Sequence, residues 1–158
     1  MSQSQQKPVP PVSNVFAVDP TAFIKKTANQ LKTFPEINPP REVKLGLWKT
    51  SCARELPPEN SEEFWYIRSA SLLRKLALKK RIGVSRLRKL YGCHQRNGVK
   101  PPHYRKCAGK IIRRCLQQLE KAGLVQIEKA AGRKLTSAGQ SLIDKIAHDI
   151  VRETAASK

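Results

Sequence analysis

Apolar residues recur at helical spacing in five stretches of this chain, and each stretch carries its own start or stop signal. Asp19-Pro20 opens the first, with a capping carboxylate and a proline at the first helical position, and Phe23, Ile24, Ala28 and Leu31 carry it to about Lys32. A second begins at Ser61, where a capping hydroxyl precedes Glu62 and Glu63 in the positive first turn, and runs to about Lys80, ahead of Gly83. Trp65, Ser69, Leu72 and Leu76 form its inward stripe, with Tyr66, Ala70, Leu73 and Ala77 beside it. A short third helix, capped by Ser85 and stopped at Gly92, has Val84, Leu87, Leu90 and Tyr91 as its apolar positions. The fourth spans about Arg105 to Ala122 and closes at Gly123. Ala108, Ile111 or Ile112, Cys115, Leu119 and Ala122 face inward there, and Lys106, Lys110, Arg113, Arg114 and Gln117 face out. Thr136 caps a last helix with Leu142, Ile143, Ile146, Ala147 and Ile150 in the core.

Between the fourth and last helices the periodicity changes from 3.6 to 2. Leu124 to Lys129 alternates, turns at Ala130-Ala131-Gly132 and returns through Arg133 to Thr136, a short hairpin with a basic tip. Residues 1–14 have the composition of a disordered polar tail. Residues 33–61 hold five prolines and read as a connector with one short turn near Val43–Leu47. Residues 92–102 read as a loop, with turn chemistry at Asn97-Gly98 and Pro101-Pro102. The expectation is one domain over 15–158, the connector included. Short helix, turn, basic helix and hairpin is the order of a winged helix-turn-helix. The fold class is therefore mainly α and winged-helix-like, with extra N-terminal and C-terminal helices.

Charge makes this more than a fold. Thirty-one Lys and Arg against twelve Asp and Glu leave a net charge of +19 on 158 residues. The 53 residues from Phe64 to Leu116 contribute sixteen of the cations and no carboxylate, while the rest of the chain is nearly balanced. A surface built for solubility mixes signs; this section faces a polyanion, with nucleic acid the default. The same section has no carboxylate for acid–base chemistry, and the chain has no phosphate-loop motif, so no enzyme is expected. No apolar run is long enough to span a bilayer. The N-terminus lacks the apolar core of a secretory signal, so an intracellular chain with reduced Cys52, Cys93, Cys107 and Cys115 is expected. Cys93, His94, His103 and Cys107 lack the tight paired spacing of structural zinc sites, and no metal or other cofactor is assigned.

Four segments carry the reading further. Phe64-Trp-Tyr-Ile-Arg-Ser-Ala-Ser71 resembles the W-F/W-Y-x-R-A-A-S signature of the eS-nineteen family of small-subunit ribosomal proteins of eukaryotes and archaea. In the same order, Tyr91-Gly-Cys-His-Gln-Arg-Asn-Gly-Val-x-Pro101 resembles its Y-G-G-R-Q-R-N-G-V-x-P loop. Arg113-Arg-Cys-Leu-Gln-Gln-Leu-Glu120 is similar to its R-R-x-L-Q-x-L-E helix, and Gly132-Arg-Lys-Leu-Thr-x-x-Gly139 to its element after the wing. Phe64 stands where the family usually has Trp, and Cys93-His94 replace Gly-Arg.

The resemblance implies a non-catalytic structural protein bound to ribosomal RNA in the head of the small (40S) subunit, beside neighbouring ribosomal proteins. It also implies a part in precursor-RNA processing and subunit maturation, a cytoplasmic ribosomal location, and a nucleolar assembly stage in a eukaryote. Arg68, Arg74, Arg113 and Arg114 match basic signature positions, and Arg96 matches another in the loop. Read from the residues themselves, the RNA candidates are Arg68, Arg74, Lys75, Lys79 and Lys80 on the second helix and Lys106, Lys110, Arg113 and Arg114 on the fourth. Arg133 and Lys134 at the wing join them. Neither a small-molecule substrate nor a membrane is expected as partner. The competing reading is a winged-helix DNA-binding regulator. It fits less well, because the second helix is as basic as the fourth and no dimerisation stripe is evident.

Overall fold

Helix α3 (Ser61–Lys79) is the axis around which the rest of the protein is assembled. In the computed structural model, which describes residues 15–128 and 132–156, it packs against α1 (Pro20–Leu31), α5 (Gly109–Lys121) and α6 (Ser137–Ala156). Short helices α2 (Arg41–Lys44) and α4 (Val84–Leu90) complete the helical set. Two antiparallel hairpins are inserted, β1 (Cys93–Asn97) with β2 (Lys100–Arg105) and β3 (Val125–Glu128) with β4 (Gly132–Leu135). The mainly α, winged-helix-like class holds: α4, α5 and the β3–β4 wing follow one another as expected. The wing also makes a single antiparallel bridge from Arg133 to Ile82 ahead of α4, through reciprocal backbone bonds of 3.1 Å. The polar tail at 1–14 and the wing turn at Ala130-Ala131 lie outside the described residues.

Trp65, Leu72, Leu73 and Leu76 of α3, Phe23 and Leu31 of α1, Leu87 of α4, Ile112, Leu116 and Leu119 of α5 and Ile143 of α6 are all fully buried. Each removes enough apolar surface from water to contribute about 1.5–3 kcal/mol. The proline-rich connector joins this core, because Ile37 and Val43 are buried and Trp48 packs at 6.4 Å between ring centroids on Trp65. The expected turn there is α2. Asp19 caps α1 by accepting from the Ala22 N–H at 2.8 Å, and the Thr136 hydroxyl accepts from the Gly139 N–H at 3.1 Å at the start of α6.

Four local expectations are corrected. The segment 92–102 is not a loop: most of it lies in the β1–β2 hairpin, turned at Gly98-Val99 with Gly98 at φ 67°. Its second strand is exposed at all six positions, so no alternation marks it, and its two prolines are tolerated because a two-stranded sheet is all edge. Helix α5 starts at Gly109, not Arg105. The Cys107 N–H bonds the Arg88 carbonyl at 3.1 Å and the Ala108 N–H bonds the Thr50 carbonyl at 2.8 Å, and these partners hold the chain extended where a helix would begin. Ser61 is the first residue of α3 rather than its cap, and its hydroxyl donates to the Pro58 carbonyl at 3.0 Å. Gly83, not Ser85, caps α4.

Candidate nucleic-acid interface

Helix α5 presents Lys110, Arg113, Arg114 and Gln117 as one exposed face, because its buried positions, Ile111, Ile112, Cys115, Leu116 and Leu119, take the opposite side. Like charges three and four residues apart weaken an isolated helix, so packing of the apolar side has to hold this face together. Arg113 and Arg114 have no ion-pair partner among the described residues. Lys110 is 3.9 Å from a Glu42 carboxylate oxygen, and its ammonium lies 4.2 Å from the centre of the Trp48 ring. Arg114 lines a cleft of about 780 Å³ together with Trp48, Arg41 and Lys121 and with the carboxylates of Glu36, Glu42 and Glu120. Lys106 is exposed but off this helix, in the extended lead-in to it.

A second cationic region forms where α3 ends. Lys79 and Lys80 are exposed there, and the Ile82–Arg133 bridge brings the wing strand against the same turn. Two groups far apart in sequence, Lys79–Lys80 and Arg133–Lys134, thus become neighbours. Arg133 and Lys134 are half-buried; Lys134 lies 3.9 Å from Glu128, and the Arg133 Nε is buried without a hydrogen-bond partner among the described residues. Arg96 is exposed on β1, apart from both regions, on a cleft lined by residues 50 and 52–59.

The remaining α3 candidates sit deeper. Arg68 is half-buried, its guanidinium 5.0 Å from the centre of the Phe64 ring and 4.3 Å from that of Tyr91. Burial pushes the Tyr91 phenol above its ordinary range, and the 2.7 Å bond with the Ser71 hydroxyl and the Arg68 charge hold it back. Burial likewise raises the thiols of Cys107 and, to about 12, of Cys115. Arg74 and Lys75 are half-buried, and the Arg74 Nε has no hydrogen-bond partner among the described residues. No group of three or more His, Cys, Asp or Glu placed to hold a metal ion occurs among the described residues. No described helix is long and apolar enough to cross a membrane.

Comparison with known proteins bears directly on this arrangement. The profile of the family described as Ribosomal protein S19e matches residues 14–153. The chain belongs to the ribosomal protein S19e family. Among its relatives, small ribosomal subunit protein eS19 of Aeropyrum pernix is 39% identical over 142 residues, covering 89% of this chain and 91% of that one. The eS19 protein of Oryza sativa subsp. japonica is 39% identical over 130 residues, 82% and 87% of the two chains. The eS19A protein of Saccharomyces cerevisiae is 37% identical over 142 residues, 90% and 95%. As an S19e-family member the chain is a structural component of the small ribosomal subunit rather than an enzyme.

The S19e-like segments have distinct physical jobs in the fold. The Phe64–Ser71 signature is mostly packing: Trp65, Ser69 and Ala70 are buried, and Arg68 joins α3 to Tyr91 at the end of α4. Arg113–Glu120 combines the outward cations with Gln118, which bridges to Trp65 and Asn38. Sequence reasoning left out Arg81, Arg86 and Lys89, and also Lys100 and Arg105 on the hairpin, all exposed. The missing carboxylates of residues 64–116 marked these positions as a group, but no periodicity singled them out.

Proposed function

We propose that this chain binds ribosomal RNA in the head of the small subunit, contacts neighbouring ribosomal proteins there, and is needed for precursor-RNA processing and maturation of that subunit. The observation that carries the reading is the unneutralised α5 face of Arg113 and Arg114, beside Lys110, within a section that has no carboxylate of its own. Each phosphate contact releases condensed counterions, and each arginine adds a planar fork that grips phosphate or stacks on an unpaired base. Lys79, Lys80, Arg96 and Lys106 extend the cationic surface, all exposed. Arg68, Arg74, Lys75, Arg133 and Lys134 add what their half-buried side chains leave open to solvent. The working location is the cytoplasmic ribosome, with a nucleolar stage during assembly if the source is a eukaryote.

Sucrose-gradient sedimentation of a tagged chain, at low and high salt, tests this. Wild type co-sediments with the small subunit at both salts, and Arg113→Glu with Arg114→Glu moves it to the free fraction without unfolding it. A wild-type chain found free or on chromatin refutes the reading in favour of DNA binding. A double variant that enters subunits normally removes α5 from the RNA face. Depletion of the chain should lead precursor RNA of the small subunit to accumulate on a northern blot; an unchanged precursor pattern refutes the maturation role.

A further inference from the structure

The end of α3, the turn at 80–83 and α4 enclose a recess of about 350 Å³ lined by Lys79, Arg81, Ile82, Arg86, Lys89 and Leu90. Four of the six are cations and none is acidic. Ile82 is a fixed, buried part of the wall, held by its two backbone bonds to Arg133. Leu90 occupies an apolar position of α4 yet stands 50% exposed, while Leu87 on the same helix is fully buried. The backbone bringing these groups together is strained. Lys80 has φ 57° and ψ −48°, and the Arg81 N–H bonds the Lys79 carbonyl at 2.6 Å. That is a γ-turn of the rare, strained hand. It puts Lys79 and Arg81, on either side of the reversal, around one recess. Strain of this kind persists where the surroundings over-determine it and clusters at binding sites. The Arg81 Nε is 3.2 Å from Glu128 of the wing, and its side chain remains 58% exposed.

We propose that this recess takes one unpaired nucleotide of RNA, with its phosphate among Arg81, Arg86 and Lys89 and its base on Leu90 and Ile82. The inference rests on the RNA-binding reading above and names the form of RNA recognised at this place. A recess at the small end of the range for ligand pockets, about 300–1,000 Å³, admits one residue of a strand and not a duplex. An apolar floor is useful only to a base whose face is free, as in loops and bulges, since paired bases are stacked on one another. A purely acidic chain such as polyglutamate would use the cations alone and leave Leu90 idle.

Fluorescence anisotropy of the full chain with a labelled octauridylate and with a labelled RNA duplex separates these cases. Leu90→Ser lies on the surface and leaves every charge in place. It should weaken octauridylate binding about fivefold and leave the duplex unchanged. Arg86→Gln with Lys89→Gln should make the dependence of log K on log salt shallower by about 0.7 for octauridylate, the loss of the one single-strand phosphate contact made in the recess. Equal effects of Leu90→Ser on both RNAs, or none on either, overturn the inference. So does displacement of octauridylate by polyglutamate that Leu90→Ser does not alter, which would mark a general site for acidic chains. If wild type binds both RNAs but neither recess variant differs from it, this inference falls and the RNA reading stands. If wild type binds neither RNA, both fall.

Discussion

Gln118 ties three separate parts of the chain together, and cutting it should show how the proline-rich connector is held. The buried Trp65 indole N–H donates to Gln118 Oε1 at 2.7 Å, and Gln118 Nε2 donates to the Asn38 carbonyl at 2.5 Å. Gln118→Ala strands the indole donor away from water, a penalty of about 1–3 kcal/mol, and removes the bond to Asn38, about another 1 kcal/mol. The total expected is about 2–4 kcal/mol. In a Trp65→Phe background no indole N–H is left to strand, so the same substitution should cost only about 1 kcal/mol. Urea unfolding of the four proteins of this cycle, followed by circular dichroism, reads the difference directly. With a slope of about 1–3 kcal/mol per molar urea, the shift in midpoint is large enough to resolve. If the two substitutions add to within about 0.5 kcal/mol, Trp65 and Gln118 are not coupled and the relay is wrong.

Three further perturbations follow from packing and charge. Gly139→Ala places a methyl against the Leu124 backbone carbonyl, which cannot swing away; a loss of about 1–3 kcal/mol is expected, and an unchanged melting temperature refutes it. Arg68→Ala removes a guanidinium from between Phe64 and Tyr91, about 1–2 kcal/mol. Because the same charge restrains the burial-raised phenol of Tyr91, an ultraviolet titration should find Tyr91 ionising at still higher pH in this variant. Cys115 ionises near 12 in the folded chain against an ordinary 9.0, so its contribution is intact below about pH 9 and is lost as pH rises toward 12. Cys115→Ala should flatten that alkaline decline relative to wild type. With a thiol reagent at neutral pH, exposed Cys52 should react at once and buried Cys115 only on unfolding.

The positions of the major helices, the wing and the capping signals at Asp19 and Thr136 were readable because they depend on neighbours a few residues away. Burial stripes such as Trp65-Ser69-Leu72-Leu76 and the run of cations without carboxylates are likewise written in order along the chain, and they determined the mainly α class and a polyanion-facing section. What the chain order does not contain is where backbone donors go. The start of α5 at Gly109 was decided by Arg88 and Thr50, whose carbonyls take the N–H groups of Cys107 and Ala108. The β1–β2 hairpin was decided by cross-strand pairing and by Tyr104, whose hydroxyl bonds the Lys89 carbonyl, although no residue of β2 is buried. Arg68, one of an apparently uniform cationic set, was turned between two rings, while Arg113 and Arg114 were left in solvent. The recess around Leu90 exists only because a strained turn folds Lys79 and Arg81 back toward α4. Local periodicity and charge are properties of the sequence, but hydrogen-bond competition and the convergence of distant side chains arise only once the helices have packed.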